Sequence, residues 1–231
     1  MKFFIVLAVS CFIAVGCAKK EEVTVSKEAV MEEKSVLPEA MKPKEDAVIK
    51  VMGQEQEEKE FKIFPVYSDK RSPDNHFIPS GWMGDYMDVK FEDAYQENPH
   101  GGATCIKITY NSNATGGARW AGIYWQYPAN NWGGAPQYYD LTGASKLTFW
   151  IRGDKGGETI QEVKMGGIFG EYSDSDTAGV GPITLTTEWK QYTIDLTGKD
   201  LSHVIGGFVW STNIDVNPEG LVFYLDDIKY E

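Results

Sequence analysis

Basic charge, cysteine and recognisable catalytic motifs are all scarce in this chain. Its 22 lysines and arginines are outnumbered by 34 aspartates and glutamates, leaving a formal net charge of −12. Recognition of nucleic acid needs a basic footprint against the phosphates, so that role is excluded. The three cysteines stand at 11, 17 and 105, too few and too scattered for a disulfide framework. No HExxH, GxSxG, CxxC or phosphate-cradling glycine loop is present, and the three histidines (His76, His100, His203) are dispersed. Nor is there a convincing amphipathic helix, or an apolar run long enough to cross a bilayer comfortably. Residues 18–60 contain no Phe, Trp or Tyr at all.

What is present begins with an export signal. Lys2 supplies a positive start, Phe3 to Val15 a short apolar run, and Ala14-Val15-Gly16-Cys17 a small-residue ending. This resembles a bacterial lipoprotein signal, in which the cysteine receives lipid and becomes the mature N-terminus. Residues 1–16 are then a signal peptide, and Cys17 is the lipidation site. Ala18 follows where an aspartate would favour the inner membrane, so the resemblance implies an outer-membrane lipoprotein of the bacterial envelope. The alternative is an ordinary secretory signal or short membrane anchor with Cys17 unmodified. Residues 18–60 carry 12 acidic and 8 basic residues. Such a segment buries too little apolar surface to offset its chain entropy, so 17–60 reads as a lipidated cysteine followed by a disordered, charged tether.

Composition changes at Phe61, beyond which lie 22 of the 24 glycines and every tryptophan. The folded domain is 61–231. Period-two alternation predicts strands at 61–66, 87–91, 104–110, 120–127, 147–152, 160–165, 179–184, 191–196, 206–210 and 221–230. Gly-Gly pairs punctuate them, with 166–167 and 206–207 expected as bulges or close approaches inside strands. Many short strands without intervening helices indicate an all-β sandwich of two antiparallel sheets. Alternation places Leu147, Phe149 and Ile151 in the core, and Thr148, Trp150 and Arg152 on the outer face. Cys105, in a strand-like run, reads as a small core residue. Asp140-Leu-Thr-Gly143 and Asp195-Leu-Thr-Gly198 read as one turn solution used twice.

The richest stretch is Arg119 to Arg152, with four of the seven tryptophans and four tyrosines. Two strand-like runs joined by an aromatic, amide-rich loop are expected to form the floor and rim of one binding surface. Tyr139-Asp140-Leu-Thr-Gly, Leu147-Thr-Phe-Trp-Ile-Arg152-Gly, Trp189-Lys-Gln-Tyr192-Thr-Ile-Asp195-Leu and the final Phe223-Tyr-Leu-Asp226-Asp227-Ile228 together resemble a carbohydrate-binding-module jelly roll. The resemblance is to the galactose-binding-like superfamily, family-11 type, and covers about Met87 to Glu231. Residues 64–86 look like an added lobe or rim.

Indole and phenol rings offer an apolar face with a polar edge, which suits stacking on a pyranose. The candidate ligand-binding residues are Trp120, Trp125, Trp132, Tyr138, Tyr139, Trp150 and Arg152, with a core role as the alternative for any single tryptophan. The expected ligand is a polysaccharide or oligosaccharide. The resemblance further implies a structural calcium between an early acidic phrase, Glu92 or Asp93, and the last strand, Asp226 or Asp227. Asp174-Ser-Asp176-Thr-Ala-Gly179 opens like an EF-hand loop, but Leu185 stands where the closing glutamate belongs, leaving a surface loop. The functional expectation is a non-catalytic, lipid-anchored glycan-binding protein. A jelly-roll polysaccharide hydrolase or lyase, and a structural envelope protein binding a protein partner, are the alternatives.

Overall fold

The computed structural model describes residues 60–231. The signal peptide, Cys17 and all of the tether except residue 60 lie outside the described residues. The described chain holds thirteen strands: β1 (Phe64–Tyr67), β2 (Ile78–Gly84), β3 (Val89–Tyr95), β4 (Cys105–Tyr110), β5 (Trp120–Gln126), β6 (Lys146–Gly153), β7 (Thr159–Ile160), β8 (Glu162–Gly166), β9 (Thr177–Val180), β10 (Ile183–Thr184), β11 (Lys190–Asp195), β12 (Gly206–Asn213) and β13 (Leu221–Tyr230). Among the described residues there is no α-helix, only a 3-10 turn at Tyr86–Asp88.

Two antiparallel sheets face one another in a β-sandwich of the jelly-roll kind. The first runs β11-β6-β13-β4-β3, with β1 added on β13, and the second runs β2-β5-β12-β8-β9. A small β10-β7 pair stands apart. The side chains that alternation assigned inward do fill the space between the sheets. Leu147, Phe149 and Ile151 are fully buried, as are Trp210, Phe208 and Phe223 from the strands opposite and beside them. Edge-on contacts stitch the layers together: Phe149 meets Phe208 at 5.5 Å, and Trp210 meets Phe223 at 5.0 Å between ring centroids. Edge-to-face packing of this kind adds to what area burial alone contributes. Cys105 is buried and unpaired, and burial pushes its thiol up to about 11, so it stays protonated and inert.

Three local expectations meet the structure in different ways. In both Asp-Leu-Thr-Gly turns the aspartate side chain accepts the N–H two residues on, from Thr142 and from Thr197. The register between β12 and β5 shifts between Gly206 and Phe208, so the bulge lies where the glycine pair predicted it. Residues 64–86, by contrast, are not an added lobe. They supply β1 to the first sheet and β2 to the edge of the second. Pro79 and Gly81 hide β2 from a propensity reading, yet both fit an edge strand. Proline lacks an N–H, and the β2–β5 register shifts between Pro79 and Gly81. At Gly81 a Cβ would lie 2.7 Å from the Tyr124 Cβ, so a side chain there would push the strands apart.

The most consequential correction concerns the 119–152 stretch. β5 belongs to the second sheet and β6 to the first. The two runs therefore lie in opposite layers and do not form one floor. The outward residues of β5 and those of β6 look away from each other.

Candidate functional site

The seven candidate ligand-binding residues separate into four places. Trp125 is 1 % exposed and lies in the core, edge-on to Phe91 and Phe208. It shares the inward parity of Ala121 and Ile123, so its candidacy is corrected. Tyr139 is half-buried in a ring cluster, stacked on Tyr127 at 4.1 Å and edge-on to Phe64 and Phe77, with its hydroxyl donating to the His76 carbonyl. It closes one end of the sandwich and is corrected likewise. Trp150 and Arg152 do point outward from the first sheet, but the imidazole of His100 covers the Trp150 indole at 3.7 Å with planes 17° apart. That ring face is already occupied. Trp120, Trp132 and Tyr138 remain, all on the side of the second sheet.

On that side β5 presents Trp120, Gly122, Tyr124 and Gln126 outward, the alternates of its buried core set. Tyr124, Ile168, Ile205 and Val209 make a small apolar cluster on this outer surface, joined by Met83. Trp132 stands edge-on to Tyr124 at 5.8 Å and is 45 % exposed. Tyr138, also 45 % exposed, stacks on His203 at 4.0 Å. Phe169, which sequence reasoning missed, is 85 % exposed. Trp120 shares the face but starts β5, four residues and about 13 Å from Tyr124 along the strand, apart from the others.

Three polar side chains shape the loops that carry Trp132 and Phe169. Asn131 is buried. Its Oδ1 accepts the N–H groups of Gly133 and Ala135, and its Nδ2 donates to the carbonyls of Tyr127 and Ala135 at 3.2 Å each. Gln126, bonded in turn to the Ser80 hydroxyl, donates to the Asn131 carbonyl at 2.9 Å. This amide framework shapes the Trp132 loop without help from regular structure. Asp174 does the same for the Phe169 loop. Its carboxylate accepts N–H groups from Ile168 at 2.8 Å, Ile205 at 2.7 Å and Gly206 at 3.0 Å. Burial raises its pKa, partly offset by those three donors. What reads in the sequence as a plain surface loop is thus clasped to the start of β12.

The two loops also lock to each other. The Tyr172 N–H donates to the Gly133 carbonyl at 2.9 Å, and a Cβ on Gly133 would lie 2.4 Å from the Phe169 carbonyl oxygen. Only glycine, with φ of +84° here, permits that approach. The signal for Phe169 was its setting, Gly167-Ile168-Phe169-Gly170, an apolar pair between glycines that no strand alternation claims. Farther along the same outer face, a groove of about 700 Å³ is lined by Gln161, Glu162, Gly179, Val180, Gly181, Pro182 and Ser211.

The residues proposed for calcium do not fit it. Glu92 pairs with Lys90 at 3.0 Å, and Asp93 pairs with Lys70. Asp226 is fully buried and accepts the N–H groups of His100, Gly101 and Asp227, while Asp227 binds the His100 ring at 2.7 Å. Oxygens aimed at amide hydrogens are not arranged as a cation cage. Among the described residues no group of three or more His, Cys, Asp or Glu side chains is placed to hold a metal. Several acids instead gather loop amides: Asp69 holds Ala103 and Thr104, Asp85 holds Ala118 and Arg119, and Asp88 holds Thr115.

No protein-family model matches the chain, and no curated protein matches it. Solved structures do share its fold. A family 30 carbohydrate-binding module superposes with a TM-score of 0.52 at 15 % identity, covering 74 % of this chain and 98 % of that one. The family 30 module of the cellulosomal cellulase Cel9D-Cel44B of Clostridium thermocellum gives 0.50 at 15 % identity, over 74 % and 97 %. A family 11 module from Clostridium thermocellum, in complex with a β-1,3-1,4-mixed-linked tetrasaccharide, gives only 0.40 at 14 % identity, over 62 % and 80 %. At that score it carries no argument. At these identities the likeness establishes the fold, a jelly-roll β-sandwich shared with these modules.

Proposed function

We propose that this chain is a non-catalytic glycan-binding protein that holds polysaccharide or oligosaccharide on the outer face of its second sheet. The observation that carries this is the pair of exposed rings Trp132 and Phe169, on two interlocked loops with Trp132 edge-on to Tyr124, and with Tyr138 nearby in the chain presenting the one face that His203 leaves open. Large rings left in water are costly unless a ligand covers them, and rigid backing keeps the binding penalty low. Their apolar faces match the C–H face of a pyranose. The groove farther along the face gives room for additional sugar units. The jelly-roll neighbours, named as carbohydrate-binding modules, support the same reading.

The proposal extends to the N-terminal segment. Lipid on Cys17 anchors the chain in the outer membrane, and the charged residues up to Phe61 act as a spacer between anchor and domain. Two or more acyl chains suffice for stable anchoring. The direct test is calorimetric titration of the full chain, in detergent, against a panel of neutral polysaccharides. Saturable binding without release of reducing ends supports the reading. Product release would replace it with the hydrolase or lyase alternative, and an empty panel would overturn it.

A further inference from the structure

The outer face of the first sheet carries a different arrangement, independent of the reading above. Lys107 of β4 and Arg152 of β6 are both register partners of Tyr224 on β13, one on each side. The Arg152 guanidinium lies 3.7 Å from the Tyr224 ring centroid and 5.2 Å from that of Trp189. The Lys107 ammonium lies 4.4 Å from the Tyr95 centroid and 5.7 Å from that of Tyr224. Aromatic and cationic side chains thus alternate across the sheet: Tyr95, Lys107, Tyr224, Arg152, Trp189.

Neither Lys107 nor Arg152 forms an ion pair. Seven of the thirteen lysines and arginines among the described residues pair with a carboxylate, while Lys62, Arg71, Lys155 and Lys190 are, like these two, unpaired. The Arg152 Nε is shielded from water and has no hydrogen-bond acceptor. The neighbouring acids are committed elsewhere. Asp154 accepts the Tyr224 hydroxyl at 2.8 Å, and Asp226 is enclosed by backbone amides. Asp227 binds His100 and Glu92 binds Lys90. What sets Lys107 and Arg152 apart from the other unpaired cations is their place on one aromatic row, each lying over two of its rings.

We propose that this row is a second binding surface, selective for an anionic saccharide carrying carboxylate or sulfate. Lys107 and Arg152 stand on strands two apart, about 10 Å, the scale of neighbouring charged units on a sugar chain. Guanidinium provides paired N–H donors for an oxyanion, lysine a point charge, and Tyr95 and Trp189 offer ring surface beside them. The anion replaces the missing counter-ions, and the rings distinguish a saccharide from any other polyanion.

The test titrates the full chain with polygalacturonate at low and high salt. Its fully methyl-esterified form, dextran sulfate and poly-glutamate are the parallel arms. Binding of polygalacturonate or dextran sulfate, weakened by salt and absent for the neutral ester at this face, is expected, and the preferred arm names the anionic group. Lys107→Gln and Arg152→Gln should each weaken it at least tenfold. Lys107→Gln should leave neutral-polysaccharide binding intact, which separates failure of this surface from failure of the other. Lys107→Gln also keeps the test open if Arg152→Gln unfolds. Unchanged anion binding in the Lys107 variant, equal binding of poly-glutamate, or no binding of either anionic polysaccharide would overturn the proposal.

Discussion

The imidazole of His100 lies flat on the indole of Trp150, with ring centroids 3.7 Å apart. His100 is held there by its own N–H to Asp226 and by its ring to Asp227. Trp150 is therefore part of the clasp that fixes the 96–103 loop. Trp150→Ala should cost about 1–3 kcal/mol, roughly half of a full burial, and lower the melting temperature by several degrees. Phe149→Ala, in the core, should cost about 3–5 kcal/mol. A melt of Trp150→Ala identical to wild type would show that the stack holds nothing.

The Trp150 case also shows how far the sequence could be read. Alternation placed Leu147, Phe149 and Ile151 inside and Trp150 outside, because parity along a strand is a local property. It did not reveal that His100, fifty residues earlier, covers the ring. Sheet membership of β5 and β6 was equally invisible, since crossing between layers leaves no mark on local periodicity. Phe169 and the amide frame of Asn131 lie in loops, where a single side chain's long-range partners decide the geometry. β2 was missed for a different reason: Pro79 and Gly81 lower strand propensity, yet the edge position and the Tyr124 contact require such residues.

Asp226 gives the fold a defined pH response. Burial, with the charge of Asp227 adding to it, raises its carboxyl to about 6 from the ordinary 3.8, against the lowering pull of its amide donors. Between those values the folded state holds a proton that the unfolded chain releases. The stability this group contributes is complete below about 3.8 and is lost as pH rises through about 6. Asp226→Asn, with no proton to lose, should be less stable at pH 4 and close part of its gap to wild type by pH 7. Thermal melts at unit steps of pH check this, and a gap that stays constant would contradict it.

Gly81 tests the placement of β2. Gly81→Ala would set a methyl 2.7 Å from the Tyr124 Cβ and 2.8 Å from the Gln126 side-chain carbon. Strand pairing prevents the Tyr124 backbone from yielding easily, so a loss of about 1–3 kcal/mol is expected in denaturant unfolding. A neutral effect would mean that β2 packs more loosely on β5 than the register implies.

The anchor is tested separately. Cys17→Ser should abolish retention in the membrane fraction, because serine cannot form the lipid thioether. Normal detergent partitioning of that variant would remove the lipoprotein proposal while leaving the binding face untouched.

The central claim is that sugar rests on the rings above the second sheet. The most direct measurement is calorimetry of Trp132→Ala and Phe169→Ala against whichever neutral polysaccharide the wild type binds, with melts recorded in parallel. Phe169 is 85 % exposed and Trp132 45 %, so melting should change little in Phe169→Ala and only modestly in Trp132→Ala. Each variant should lose at least tenfold in affinity, about 1.4 kcal/mol. Wild-type affinity in both variants, with folding intact, would contradict the account and move the sugar site off this face.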